Sequence, residues 1–317
     1  MEQDWIESIG CGKFDRISEN AVLKMDDCIQ AMKCIESETV DACITDPPYF
    51  IDGMGCDWDA GKVNEKIEQS KLVHSIPIRM KFDPQQGKDL QAFIGKVSTE
   101  VFRILKPGGF YIGFSQGRLY HRMAVAVEDC GFEIRDMLAW KRKGYAKAFS
   151  QEHFIRQMDA EDAEKERLLK SLEGRKTPQL AGTFEPIVLA QKPKCGTFVE
   201  NWMRYGVGLI DASQTLDGGF PSTIMDVPKP SKAERNGCGH PTMKPVRLMR
   251  HLVGIFAPRN GIVIDPFLGS GSTGIACLNT SRRFIGIEAC DAYFNKARKR
   301  MLDSIQTDRD AFCGLIQ

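Results

Sequence analysis

Gly261-Ile262-Val263-Ile264-Asp265-Pro266-Phe267-Leu268-Gly269-Ser270-Gly271-Ser272-Thr273-Gly274 decides the fold. The apolar residues before Asp265 read as a strand that ends on an acid. The glycines permit a tight turn and close backbone approach to a ligand, and Gly274 to Leu278 begins a helix. Ser272 or Thr273 is expected to cap that helix. The next strand, Phe284 to Glu288, also ends on an acid, and a basic helix follows from Ala292 to Ser304.

The same alternation runs back through the chain. A strand at Asn20 to Lys24 leads through Met25-Asp26-Asp27-Cys28 into an amphipathic helix ending near Ile35. Val40 to Thr45 reads as a buried strand leading into Asp46-Pro47-Pro48-Tyr49. Residues 50–88 have little periodicity and read as a long loop with a short helix. A helix over 90–105 stops at Lys106-Pro107-Gly108-Gly109. A strand at Phe110 to Phe114, a helix from Gly117 to Cys130 and a strand from Phe132 to Trp140 follow. A charged helix from about Gln151 to Glu173 separates the Trp140 strand from one at Glu185 to Ala190, so it is an insertion in an edge hairpin. Residues 199–239 have no clear period, and His240 opens a helix reaching about Phe256. Strands alternating with helices imply an α/β fold with a doubly wound, mostly parallel, Rossmann-like sheet.

Composition excludes little. The 317 residues are 27% charged and 42% hydrophobic, with a net charge of +1, so a nucleic-acid binder needs its positive charge concentrated locally. No stretch approaches the roughly 20 apolar residues of a membrane span. The acidic N-terminus lacks a signal-peptide pattern. The 11 cysteines include no C-x-x-C pair, and Cys238-Gly239-His240 lacks partners at metal-ligand spacing. Reduced thiols and a cytoplasmic location are expected.

Three motifs carry chemistry. In Asp46-Pro47-Pro48-Tyr49 the acid can accept from an exocyclic amino group. The prolines stiffen the loop and present carbonyls, and the tyrosine offers a stacking face. A Pro-Pro turn with a core tyrosine is the plain structural reading. Gly269, Gly271 and Gly274 match G-x-G-x-x-G, with Glu288 19 residues after Gly269, so a dinucleotide site is a rival. Asp265 weighs against a pyrophosphate and suits an ammonium, as in S-adenosylmethionine. In His240-Pro241-Thr242-Met243-Lys244-Pro245, Thr242 and Lys244 stand where a helix start can hold a carboxylate. A Pro-initiated helix with Lys244 in solvent is the other reading.

The order of these motifs resembles the beta-class DNA amino-methyltransferases, a circularly permuted family in which the catalytic motif precedes the cofactor motif. The likeness spans most of the chain and weakens over 50–88 and 144–239. It implies a catalytic half at 1–143, an edge hairpin with helical insertion and target-recognition region at 144–239, and a cofactor-binding half at 240–317. It also implies a role for each motif residue. Asp46 and the Pro47 carbonyl accept the target amino hydrogens beside Pro48, and Tyr49 stacks on the extruded base. Asp27 meets the cofactor adenine and Glu288 the ribose. Asp265 takes the ammonium, Thr242 and Lys244 lie near the carboxylate, and Phe267, Gly269, Gly271 and Ser272 form the cofactor loop. Methyl transfer is direct and needs no metal. In this family Asp at the first motif position usually accompanies N6-adenine and Ser usually accompanies N4-cytosine, so Asp46 favours adenine. Dimers are common in the family, and a restriction–modification setting is one of several open roles.

Cations that can meet double-stranded DNA are Lys141, Arg142 and Lys143 beside Trp140, and Lys229, Lys232 and Arg235. Asn201, Arg204, Gln214 and Arg235 are chemically able to read base edges. A solvated surface is the plain reading of each cluster. An N4-cytosine methyltransferase of the same fold is the runner-up, and a dinucleotide-dependent oxidoreductase and a catalytically silent DNA-binding protein on the same scaffold are the rival classes.

Overall fold

The structure is a computed structural model that describes residues 4–10, 13–49, 84–144, 148–235 and 242–314. The loop expected over 50–88 lies outside these residues as far as 83, as do Cys238-Gly239-His240, Pro241, and Tyr145 to Lys147.

Among the described residues nine strands form one sheet: β1 (Asp15–Ser18), β2 (Ala21–Met25), β3 (Val40–Thr45), β4 (Leu105–Phe114), β5 (Glu133–Lys141), β6 (Phe184–Gln191), β7 (Ile224–Met225), β8 (Ile262–Asp265) and β9 (Arg283–Glu288). Their order is β1-β2-β9-β8-β3-β4-β6-β5-β7. The run from β2 to β4 is parallel, while β1 and β6 run against their neighbours. All residues of β3 and β8 are buried, which is why both read as continuous apolar runs rather than alternating ones.

Helices cover both faces. Ala42 and Ile44 of β3 pack on the side of α9 (Val246–Phe256), α10 (Ser272–Leu278) and α11 (Asp291–Gly314). Cys43 points to the other core, with α2 (Cys28–Lys33), α3 (Pro84–Ile104) and α4 (Tyr120–Glu128). A short α1 (Trp5–Ser8) joins that side through Trp5, and neither it nor β1 was expected.

Three expectations are corrected. The charged insertion is two helices, α5 (Glu152–Arg156) and α6 (Asp162–Ser171), because Glu161 turns extended to precede α6. The irregular 199–239 stretch contains α7 (Phe198–Tyr205) and a single-turn α8 (Lys232–Arg235). The helix expected from His240 starts at Val246. Pro245 disfavours helical backbone at Lys244, and Glu234 Oε1 accepts the first helical N–H from Val246 at 2.7 Å.

Asn201 is fully buried, so it is not the base-edge reader its chemistry allowed. Its amide donates to the carbonyls of Pro107 and Val207, both at 2.9 Å, and its carbonyl accepts from Cys195 N at 2.8 Å. The Lys106 to Gly109 stretch loops out between the residues of β4 that pair with Val40 and Ala42. Gly108 makes that possible at φ +82°, where a Cβ would stand 2.4 Å from Asn201 Nδ2. Asn201→Ala strands these buried groups and is expected to lower unfolding free energy by about 3 kcal/mol. Denaturant midpoints with an unchanged slope check this; a loss under about 1 kcal/mol contradicts the assigned role.

Candidate active site

Strand direction collects the acids. β9, β8 and β3 are parallel neighbours, so Glu288, Asp265 and Asp46 lie at the same carboxyl rim. β6 is antiparallel to β4, so its first residues reach that rim too. Glu185 therefore stands near Asp46, 139 positions away in sequence, and β5 delivers Arg142 just past Lys141.

At the centre of the rim, Thr45 Oγ1 donates to Asp265 Oδ1 at 2.7 Å, tying β3 to β8. Thr273 Oγ1 donates to Asp265 Oδ2 at 2.7 Å, and Phe267 N to Oδ1 at 3.1 Å. Burial pushes the Asp265 carboxyl up to about 7, against the pull of these donors, and the nearby Asp46 charge adds to the rise.

The glycine loop is held by its own rim. Gly269 and Gly271 have positive φ, and Gly269 N donates to Glu288 Oε2 at 2.9 Å. Cys290 N donates to Glu288 Oε1 at 3.0 Å, and burial raises this carboxyl above the ordinary range. Gly271, not Ser272 or Thr273, takes the N-cap position of α10, because both hydroxyls are engaged elsewhere. Ser272 Oγ donates to the Lys244 carbonyl at 2.8 Å. On the outer side, Arg300 donates to Ser270 O at 2.7 Å and to Ser272 Oγ at 3.0 Å. Phe267 is half-buried against Phe93. Asp27 caps α2 through Ile29 N and Gln30 N, and the neighbouring Asp26 N donates to the Glu288 carbonyl at 3.1 Å.

Lys244 straddles the two motifs. Its carbonyl meets the glycine loop, while its ammonium turns to two acids, pairing with Asp46 Oδ2 and, at 3.0 Å, with Glu185 Oε1. The carboxylate-holding role expected for this side chain is thus not the contact the structure displays. Tyr49 Oη lies 2.5 Å from Asp46 Oδ1 and 2.9 Å from Glu185 Oε1, so it faces both acids with one proton to donate. Arg142 Nη1 closes the cluster 3.1 Å from Glu185 Oε2. Desolvation raises Asp46, and the Glu185 charge adds to that against the pull of Lys244. Burial pulls Lys244 down, but Asp46 and Glu185 outweigh it and leave the ammonium above its ordinary value.

Glu185 is the site residue that the sequence reading passed over. Its signal was an acid beginning an otherwise apolar strand. Arg300 offered none, being one of several basic residues on its helix. Thr242 is half-buried at the start of the Lys244 segment, and between Asp46 and Tyr49 Pro47 is buried and Pro48 half-buried.

The expected DNA contacts separate. Lys141 pairs with Asp226 at 2.6 Å and Arg142 serves the acid cluster, while Lys143 is exposed beside them. Arg204 stacks over Tyr205 at 5.1 Å, and Arg235 is exposed on α8.

The donor set fits an adenosylated amino acid. Each Glu288 oxygen uses one acceptor site on a backbone N–H and retains another for a sugar hydroxyl. Asp265 keeps acceptor capacity beside a loop whose backbone is open to close approach.

A sequence profile of the DNA methylase family matches residues 40–299. Among curated relatives, the type II methyltransferase M.HindIII of Haemophilus influenzae is 27% identical, over 87% of this chain and 93% of its own. The type II methyltransferase M2.DpnII of Streptococcus pneumoniae is 25% identical, over 88% and 89%. Among solved structures, an M1.HpyAVI–SAM complex aligns at TM-score 0.52 and 22% identity, covering 89% of this chain and 98% of that one. PvuII DNA methyltransferase (cytosine-N4-specific) aligns at TM-score 0.58 and 12% identity, covering 90% and 91%. At these identities the structural likeness speaks for the fold.

The raised Asp265 carboxyl predicts a sign. Protonation is favoured in the folded state, so its contribution is complete below the unfolded value near 3.8 and is lost as pH rises toward about 7. Wild type minus Asp265→Asn, measured by denaturation, is expected to fall by up to about 1.4 kcal/mol per pH unit in that window and to level off above it. A difference that is flat or rises with pH contradicts the assignment.

Proposed function

This chain belongs to the DNA methylase family, and from that premise we propose that it transfers a methyl group from S-adenosylmethionine to the N6 amino group of adenine in duplex DNA. The observation that carries the reading is the pairing of β3 with β8, which sets the Asp46 turn beside the glycine loop with the Thr45–Asp265 bond between them. A methyl acceptor held at one and a donor held at the other are thereby adjacent.

S-adenosylmethionine supplies a sulfonium methyl whose transfer leaves the bonding pair on sulfur. Glu288 is assigned the ribose, with Asp27 toward the adenine, Asp265 toward the ammonium, and Phe267, Gly269, Gly271, Ser272 and Thr242 around the methionine part. Lys244 is reassigned to the acids. Asp46 and the Pro47 carbonyl take the two amino hydrogens, which turns the nitrogen lone pair out of conjugation and toward the methyl carbon. As the new N–C bond forms, positive charge grows on that nitrogen. A fixed carboxylate aimed at it stabilises the charge without reorganisation. The nitrogen then gives up one proton to solvent water, which completes the reaction. Tyr49 offers a ring face to the extruded base, since the target leaves the stack for chemistry of this kind. Lys143 and Arg235 are exposed cations assigned to phosphates, with Lys141 and Arg142 reachable from the same rim, whereas Arg204 stands on α7 beside the amino end of β4, at the opposite rim of the sheet, and is not assigned to DNA. Residues 144–239 are assigned target recognition.

Incubation with cofactor and unmethylated DNA, then nucleoside mass spectrometry, is expected to yield N6-methyladenine. N4-methylcytosine instead overturns the choice of base. Asp46→Ala is expected to lower single-turnover rate by at least about 10²–10³-fold while cofactor affinity changes only a few-fold. Retained turnover removes Asp46 from its role.

DNA affinity is expected to fall steeply with salt, log K dropping linearly with log salt at about 0.9 per phosphate contacted. A flat line between low and moderate salt counts against a duplex substrate.

A further inference from the structure

Both oxygens of Asp46 are occupied before any base arrives: Oδ1 by the Tyr49 hydroxyl and Oδ2 by the Lys244 ammonium. Each oxygen retains a second acceptor site, but the two donors hold the carboxylate in one orientation, so turning it to align with an amino hydrogen loosens at least one of them. The released donor cannot turn to water readily, because the side chain of Lys244 is only 6% exposed. A buried donor left without a partner costs about 1–3 kcal/mol, and a buried charge costs more.

Glu185 meets this need. Its Oε1 is 3.0 Å from Lys244 Nζ and 2.9 Å from Tyr49 Oη, so both donors already touch it. Among the described residues no carboxylate besides Asp46 and Glu185 is recorded against both. Its second oxygen is held by Arg142 at 3.1 Å from the outer side. The ring of Phe114 lies 4.8 Å from the ammonium and walls the cluster from within.

We propose that Glu185 is a positioning residue for methyl transfer: it takes over Lys244 and Tyr49 when Asp46 turns to the target amino group. The inference rests on the methyltransferase reading above. Two carboxylates, Asp46 and Glu185, face two cations, Lys244 and Arg142, so the exchange moves no net charge into or out of the pocket. It also draws the ammonium toward Glu185 while the target nitrogen becomes positive, which limits repulsion between the two. Asp265 is the remaining acid that senses the Asp46 charge.

The test compares wild type with Glu185→Gln and Glu185→Asp by cofactor titration calorimetry and by single-turnover methylation across pH 5.5–9.5 (a range on the order of that spanned by the titrating groups). Glu185→Gln is expected to bind cofactor within about twofold of wild type and to methylate about 100-fold more slowly. Glu185 raises both Asp46 and Lys244, so removing its charge is expected to move the acid and alkaline limbs of the rate profile to lower pH. Glu185→Asp keeps the charge but is too short to reach both donors; about tenfold of the lost rate is expected back. A Glu185→Gln rate within about threefold of wild type, or a loss with both limbs unmoved, overturns the inference. If Glu185→Gln fails to bind cofactor, Glu185→Asp decides: wild-type speed, or none with cofactor still bound, overturns it. Wild-type protein that methylates no base overturns the functional reading itself, whereas methylation by wild type and Glu185→Gln alike removes only the role of Glu185.

Discussion

The parallel pairing of β3 with β8 is the constraint on which the site depends. These strands come from positions 40–45 and 262–265, and no local interaction could bring them together. Once paired, their carboxyl ends lie side by side at the centre of the sheet, with loops leaving toward the same rim. Ligand sites in doubly wound sheets form where neighbouring strands send their connections to opposite faces. Here α10 follows β8 on one face, and α3 lies on the other among the helices packed against Cys43. The Thr45–Asp265 hydrogen bond then fixes the register between the two loops that matter most.

Electrostatics explains why the rim needs so many partners. Three carboxyls, Asp46, Asp265 and Glu288, are pushed above their ordinary range chiefly by desolvation. Each is handled differently. Asp265 is held by two hydroxyls and a backbone N–H, Glu288 by two backbone N–H groups, and Asp46 by a charged side chain. Only at Asp46 does a full counter-charge come within contact. Removing one member of a buried ion pair typically costs about 3–5 kcal/mol, so this part of the rim combines chemistry with structural necessity. The other two acids sit among neutral donors, which a polar ligand can supplement without displacing a salt bridge.

Much of this was legible beforehand for a physical reason. Strands buried on both faces leave continuous apolar runs, and acids interrupting such runs at their ends stand out; Asp265 and Glu288 were found that way. Asp46 was found through the stiff turn that follows it. Glu185 escaped notice because its strand runs antiparallel, so its functional end is its beginning, and an acid before a proline resembles an ordinary strand entry. Lys244 was placed by its neighbours in sequence. Proline at 245 delays the helix, and the Lys244 carbonyl meets Ser272 at the start of α10 while the side chain crosses to the acids. Asn201 was misread because an amide that can contact a base edge can equally satisfy three backbone groups, and burial, which decides between these, is a tertiary property.

The antiparallel β6 also explains where the charged insertion sits. The chain leaves the sheet after Lys141 and returns at Phe184, and these two residues pair with each other across β5 and β6. The first residue out on one side is Arg142, and the next one in on the other is Glu185, which are themselves an ion pair. The segment between them is therefore anchored through the same two side chains that complete the acid cluster. A protein that reads a target sequence with this segment has its recognition elements rooted, through Lys244 and Tyr49, on the carboxylate proposed to hold the amino group. Displacement of that root alters the partner of Lys244 before it alters Asp46 itself. Coupling between recognition and catalysis then needs no motion of the central strands, whose burial leaves them little freedom to move.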